Sequence, residues 1–239
     1  MITIDKKVTI SNKKNGGYYY EEAMKTFRTN VSLSGRGVRC ILFTSTLPNE
    51  GKSELSFQLA LQFAEAGKKV MLVDADIRKS TYLAKLKSRK GIYGLSEYLS
   101  GQTDINQICF HTNYENMDMI FAGAPAPNPS ELFEDEAMKQ LVEMLKQNYD
   151  YVIIDAAPVG AVIDAAILGK YCDGAVYVIA SESVSYKQAA KAKEQLERSG
   201  CKILGAVLNK VNPKHEKYYG KRYRRYGKYG KYSRYSKYY

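Results

Sequence analysis

The sequence predicts an α/β fold: a parallel sheet with helices on both faces, ending in a low-complexity Tyr-rich tail. Three observations predict it. Short apolar runs recur around residues 41–43, 69–73, 117–121, 151–155, 174–180 and 203–209, with helical patterns between most of them. Strands alternating with helices at this length build a parallel sheet covered on both sides. The first run passes through Pro48 and Gly51 into Lys52-Ser53 and an amphipathic stretch, the strand–loop–helix layout of a P-loop NTPase-like phosphate cradle. Beyond Asn212-Pro213 the pattern stops, because no aliphatic residue remains to build a core.

The bulk numbers bound the rest. At 239 residues, 45% of them hydrophobic, the chain suits one α/β domain with residues to spare. It contains no run of about eighteen apolar residues, so no transmembrane helix is expected. Met1 to Lys7 lack the apolar segment of a signal peptide. Cys40, Cys109, Cys172 and Cys201 are far apart in sequence, match no metal-site spacing and read as reduced structural thiols of a cytoplasmic protein. The net charge of +11 is unevenly spread: residues 214–239 hold ten basic residues against Glu216, a net +9, and leave +2 for the body.

Taken in order, residues 1–17 are polar, end in Asn15-Gly16-Gly17 and read as a flexible N-terminal arm. Tyr18 to Leu33 reads as a helix, with Tyr20, Met24, Phe27 and Val31 on one stripe. Glu22, Lys25 and Arg28 share its charged face; a solvated face with a Glu–Lys pair accounts for them, and a subunit contact is the alternative. In the loop, Thr46 stands where the G-x-x-x-x-G-K-[ST] pattern has its first glycine, followed by Leu47, Pro48, Asn49, Glu50, Gly51, Lys52 and Ser53. Backbone N–H groups of such a loop and of a helix N-terminus converge on phosphate, Lys52 reaches the β/γ-phosphates, and the Ser53 hydroxyl sits on Mg2+.

The second strand ends in Asp74-Ala75-Asp76-Ile77-Arg78. Carboxylates at i and i+2 point the same way, towards the crevice at the carboxyl ends of the strands. Residues 79–117 are less regular, with a turn and short helix over 91–99. Asn128-Pro129-Ser130-Glu131 starts a helix predicted to run to about Asn148, with Asn as N-cap and Glu reaching back; capping alone explains it. The fourth strand ends in Asp155, the usual position for holding Mg2+ in a P-loop protein. Helices are expected over about 163–171 and 184–199. Asn209 closes the last strand, where it either reads a nucleotide base or simply ends the strand.

In the tail, Tyr218, Tyr219, Tyr223, Tyr226, Tyr229, Tyr232, Tyr235, Tyr238 and Tyr239 are interleaved with Lys, Arg, Gly and Ser. Composition leaves two readings open, stacking on single-stranded nucleic acid and a rack of phosphate acceptors.

Thr44 to Ser53, the stretch Val73 to Arg78, Ile154-Asp155 and the terminal tyrosines together resemble the bacterial tyrosine kinases (BY-kinases). The similarity is greatest to the stand-alone cytoplasmic kinase subunit of capsule and exopolysaccharide systems, and covers the chain from about Glu21 to its end. The partitioning and division-site ATPases share the fold but carry an extra lysine near the first loop position; Ser45-Thr46-Leu47 has none. The resemblance implies ATP- and Mg2+-dependent autophosphorylation of the tail tyrosines, in trans within an oligomer, and control of polysaccharide synthesis and export. It divides the chain into an arm (1–17), a P-loop kinase domain (18–212) and a basic autophosphorylation tail (213–239). It assigns Lys52, Asp74 and Asp76 to catalysis, with Asp74 the candidate acceptor of the tyrosine proton and its role exchangeable with that of Asp76. Ser53, Asp76 and Asp155 go to the metal, and residues 46 and 48–53 with Asn209 to the nucleotide.

The family's E-x-x-R-x-x-R ring contact is matched by Glu22 and Arg28, with Lys25 in place of the first Arg, which removes a bidentate pair. Where relatives often carry Thr-Pro-Pro after the third Asp, this chain has Ala156-Ala157-Pro158. The implied partners are a membrane-bound activator of the chain-length type, further copies of the chain in a ring, and a phosphotyrosine phosphatase, with no nucleic acid. The implied location is cytoplasmic, at the membrane through the activator. The rival reading is a nucleotide-switched ATPase binding module whose basic tail contacts nucleic acid or membrane.

Overall fold

The computed structural model describes residues 2–11, 17–83, 86 and 91–211. The tail tyrosines from Tyr218 to Tyr239 lie outside the described residues. The helix α1 (Tyr18–Ser32) precedes β1 (Cys40–Ser45), α2 (Lys52–Glu65) and β2 (Val70–Ala75). Two short helices, α3 (Leu95–Leu99) and α4 (Ile105–Ile108), lead to β3 (Cys109–His111) and β4 (Met117–Ile120). Then come α5 (Pro129–Glu134), α6 (Glu136–Asn148), β5 (Tyr151–Ala156), α7 (Asp164–Gly169), β6 (Gly174–Ala180), α8 (Tyr186–Arg198) and β7 (Ile203–Asn209).

The seven strands form one sheet in the order β3-β4-β2-β5-β1-β6-β7. Every pairing is parallel except β3 with β4. Side chains alternate across the pleat, so each central strand feeds two cores. Leu42, Met71, Val73 and Ile154 face α5 to α8, while Ile41, Phe43, Leu72 and Ile153 face α1 and α2. On the second face Phe63 stacks on Tyr151 with centroids 3.8 Å apart. Among the described residues no helix is long and apolar enough to cross a membrane.

Three expectations change. The arm read as flexible is laid, over residues 2–11, against the sheet edge: Val8 N–H donates to His111 O, His111 N–H donates to Lys6 O, and Ile10 is buried. The three residues of β3 are too short a run to be read as a strand, yet they give the sheet its antiparallel edge. The single helix predicted from Asn128 to about Asn148 is two helices. Asp135 is extended (φ −66°, ψ 147°) and caps α6 by accepting from Ala137 N–H. Nor does Asn128 cap through its side chain; it donates instead to the Glu131 carboxylate at 3.1 Å.

Candidate functional site

The loop between β1 and α2 is shaped by two left-handed residues, Asn49 (φ 66°) and Gly51 (φ 94°). A Cβ on Gly51 would stand 2.1 Å from Asn209 Nδ2, so both conformation and space demand glycine there. Gly51 offers no side-chain cap, and the first-turn N–H groups of α2 are left for an anion. Thr46 is not in the left-handed region, so its backbone does not need the glycine of the common pattern. The close approach comes from the opposite side, where Gly160 lies so near Thr46 O that a Cβ would be 2.3 Å away.

Not every loop residue faces the crevice. Thr46 is buried and bonds the Tyr177 hydroxyl. Glu50, read from sequence as a nucleotide contact, is turned inward: one oxygen accepts from Leu47 N–H and the other from Ala180 N–H and Ser183 Oγ, at 2.7–3.0 Å. Its side chain braces the loop. Asn209 donates to Glu50 O at 2.9 Å, under the loop. The residues that do line a cavity of about 440 Å³ include Pro48, Asn49, Gly51, Lys52, Ser53 and Asp76.

The carboxylates from β2 and β5 meet the lysine. Lys52 Nζ lies 2.9 Å from Asp76 Oδ2, 3.6 Å from Asp155 Oδ1 and 3.3 Å from Ser53 Oγ. Burial pulls the Lys52 pKa down, and Asp155 and Asp76 more than reverse it, so it stands above the ordinary value. Asp155 is fully buried and, among the described residues, neither of its side-chain oxygens accepts a hydrogen bond. Burial raises its pKa, against the pull of Lys52. Asp74 lies deeper than Asp76, accepts from Ser80 Oγ and Asp76 N–H, and is pushed up to about 8, first by burial and then by Asp155.

A buried carboxylate with open lone pairs beside a hydroxyl and a second carboxylate is a donor set of the hard-oxygen kind that suits Mg2+. Among the described residues no group of three or more His, Cys, Asp or Glu side chains is placed to hold a metal alone. A cation here would share its shell with phosphate oxygens.

Sequence reasoning assigned no chemistry to Ser130 and did not single out Asp164. Arg78 donates to both oxygens of the buried Asp164, at 2.7 and 3.0 Å, and to Ser130 Oγ at 3.0 Å, while Ser130 Oγ donates to Asp164. This clamp joins the segment after β2 to the first turn of α5 and the start of α7, and its Arg78 lines the cavity. Its only sequence trace is the Arg that follows the paired aspartates. On α1, Glu22 and Lys25 pair on the surface at 2.8 Å. Arg28 turns away from them and donates to Gln62 O of α2 at 3.2 Å.

Residues 41–197 match the family model described as AAA domain. The chain is 41% identical over 198 residues to tyrosine-protein kinase CpsD of Streptococcus pneumoniae, covering 83% of this chain and 87% of that one. Among solved structures, the chimerical protein CapA2B2 superposes with a TM-score of 0.78 at 32% identity, covering 87% of this chain and 95% of that chain. The kinase domain of Escherichia coli tyrosine kinase ETK superposes with a TM-score of 0.74 at 29% identity, covering 87% and 92%.

Proposed function

The chain belongs to the bacterial tyrosine-protein kinase family, and on that premise we propose that it transfers the γ-phosphoryl group of ATP to tyrosines of its own C-terminal tail, on neighbouring copies within an oligomer. One observation carries this reading: Lys52 is seated among Ser53, Asp76 and Asp155, and Asp155, paired with Lys52 at 3.6 Å, accepts no hydrogen bond among the described residues. An ammonium held among the groups suited to a divalent cation is poised to move onto phosphate when that cation arrives.

The roles follow from position. The open N–H groups at the start of α2 and the Lys52 ammonium hold the β- and γ-phosphate oxygens. Ser53, Asp76 and Asp155 would hold Mg2+, directly or through water, and the ion would neutralise charge on the transferring group. Asp76 lines the cavity, whereas Asp74 lies beneath it with its pKa near 8. This supports moving the tyrosine-facing role from Asp74 to Asp76, which keeps its place in the metal set: Asp76 is the carboxylate within reach of an incoming tyrosine hydroxyl, and Asp74 fixes it by accepting from its N–H. Little base strength is needed if the transition state is loose. The tail, at +9, is drawn to a crevice holding three aspartates and nucleotide phosphates.

The wider setting belongs to the same proposal: a cytoplasmic kinase recruited by a membrane-bound activator, reset by a phosphotyrosine phosphatase and acting on polysaccharide synthesis. The purified chain is incubated with ATP and Mg2+, with and without a peptide from the activator's cytoplasmic end, and probed for phosphotyrosine. Phosphate on residues 218–239 is the expected result. Salt-sensitive DNA or vesicle binding with no phosphotyrosine under either condition would favour the binding-module reading instead.

A further inference from the structure

The cysteines are far apart in sequence, yet three of them gather at the amino-terminal ends of the strands, away from the phosphate crevice. Cys40 opens β1, Cys172 lies just before β6 and Cys201 just before β7. Cys40 is fully buried, whereas Cys172 is half-buried and is the member of the pair with a surface. None of the three has a part in the chemistry described above.

Cys40 Sγ–H donates to Cys172 Sγ at 3.7 Å, and Cys172 Sγ–H donates to Leu168 O at 3.3 Å. The backbones on either side are already fixed to each other. Asp173 N–H donates to Cys40 O at 2.8 Å. One Asp173 carboxylate oxygen accepts from Arg39 N–H and Cys40 N–H, each at 2.8 Å, and the other accepts from Lys146 Nζ at 2.6 Å. Two sulfurs in contact on segments tied in this way close to a bond of about 2.05 Å by turning their side chains. Cys201 Sγ stands by the same turn, 2.9 Å from where a Gly169 Cβ would lie. It is the competing partner.

We propose that Cys40 and Cys172 form an oxidation site, which a hydroperoxide converts into a disulfide tying the start of β1 to the turn before β6. The Cys172 thiolate attacks one peroxide oxygen; the O–O bond breaks, a sulfenic acid forms, and the other oxygen leaves as water with the proton Cys172 gave up. The Cys40 sulfur then attacks the Cys172 sulfur, so the S–S bond forms, the S–O bond breaks and the second oxygen leaves as water with the Cys40 proton. Each sulfur loses one electron and the peroxide gains two. The contact with Cys40, and then burial, hold the Cys172 thiol well above its ordinary pKa, so the resting pair stays reduced until a strong oxidant arrives. The bond would join residues 132 positions apart. Lys52, Asp76, Arg78, Asp155 and Asp164 all lie between them, so one covalent ring would enclose the crevice and restrict the unfolded chain.

The full chain is treated with hydrogen peroxide, its remaining thiols are alkylated, and the digest is read by mass spectrometry beside a thermal melt. A Cys40–Cys172 crosslink with two hydrogens fewer than the reduced pair is expected, with a melting point raised by about 5 °C or more. Dithiothreitol should reverse both. Cys172→Ser and Cys172→Ala should melt near the reduced wild type and gain nothing from peroxide, whereas Cys201→Ser should respond as wild type does. Should the variants fail to fold, the wild-type digest alone decides. Two free thiols after treatment, or sulfinic acid at Cys172 without a crosslink, would overturn the proposal. So would a dominant Cys172–Cys201 bond, a bond between two copies, or a crosslinked chain that melts no higher than the reduced one.

Discussion

The two flanks of the phosphate loop bury polar groups in opposite ways. On the β6–β7 side, Glu50 accepts three hydrogen bonds, Thr46 meets Tyr177, and Asn209 ties to Glu50 O. On the β2–β5 side, Asp155 accepts none among the described residues, and one ammonium is shared between two buried carboxylates. Burial is nearly the same on both flanks; saturation is not. A buried polar group with its partners in place stabilises a shape, whereas one left open costs stability unless a ligand completes it. In the proposed reading the first flank is scaffold and the second the reacting side.

The contrast can be broken from either flank. The largest effect is expected from Lys52→Met, which should lower phosphotyrosine formation at least about a hundredfold, as loss of a phosphate-stabilising cation does. A circular dichroism spectrum matching wild type shows the fold intact, and undiminished phosphorylation would sink the assignment of Lys52. Next is Asp155→Asn, which should abolish Mg2+-dependent ADP binding by calorimetry yet raise the nucleotide-free melting point by about 2–4 °C, because two buried carboxylates no longer share the one Lys52 ammonium. A lowered melting point would show that the carboxylate is satisfied after all.

Glu50→Ala strikes the saturated flank and should behave oppositely. It should destabilise the protein by about 2–4 kcal/mol, from the unpaired Leu47 and Ala180 N–H groups, in a denaturant titration. Catalysis in the surviving folded fraction should show a raised KM for ATP. The smallest effect belongs to Arg28→Ala, about 1 kcal/mol from one charge-assisted bond to Gln62 O. Because Arg28 holds α1 to α2 within the chain, its loss should alter stability without changing the oligomer seen by light scattering, whereas Glu22→Ala with Lys25→Ala should shift that distribution if the surface pair is a subunit contact.

How much was legible follows the same division. Lys52, Ser53, Asp76 and Asp155 could be read because each sits at a strand end or helix start whose pattern is local. The central strands were legible for that reason too. Glu50 and Asp164 were not read for their roles, since their partners lie 130 and 86 residues away in sequence, and nothing in a local window marks such a meeting. Arg28 matched a charged-face pattern, but the pattern cannot say that the side chain turns towards α2. The split at Asp135 was hidden because the apolar spacing continues through it while its backbone does not.

The docked arm gives the sheet unlike borders. Residues 6 and 8 exchange backbone hydrogen bonds with His111 and so cover the outer rim of β3, while among the described residues no strand pairs with the outer rim of β7, where Leu208 is 52% exposed. An uncovered rim of backbone donors and acceptors is a template for another chain's strand. Colloidal behaviour is therefore tied to ten residues remote from the crevice: clipping residues 2–11 should leave the crevice intact but bare the β3 rim as a second edge for another strand.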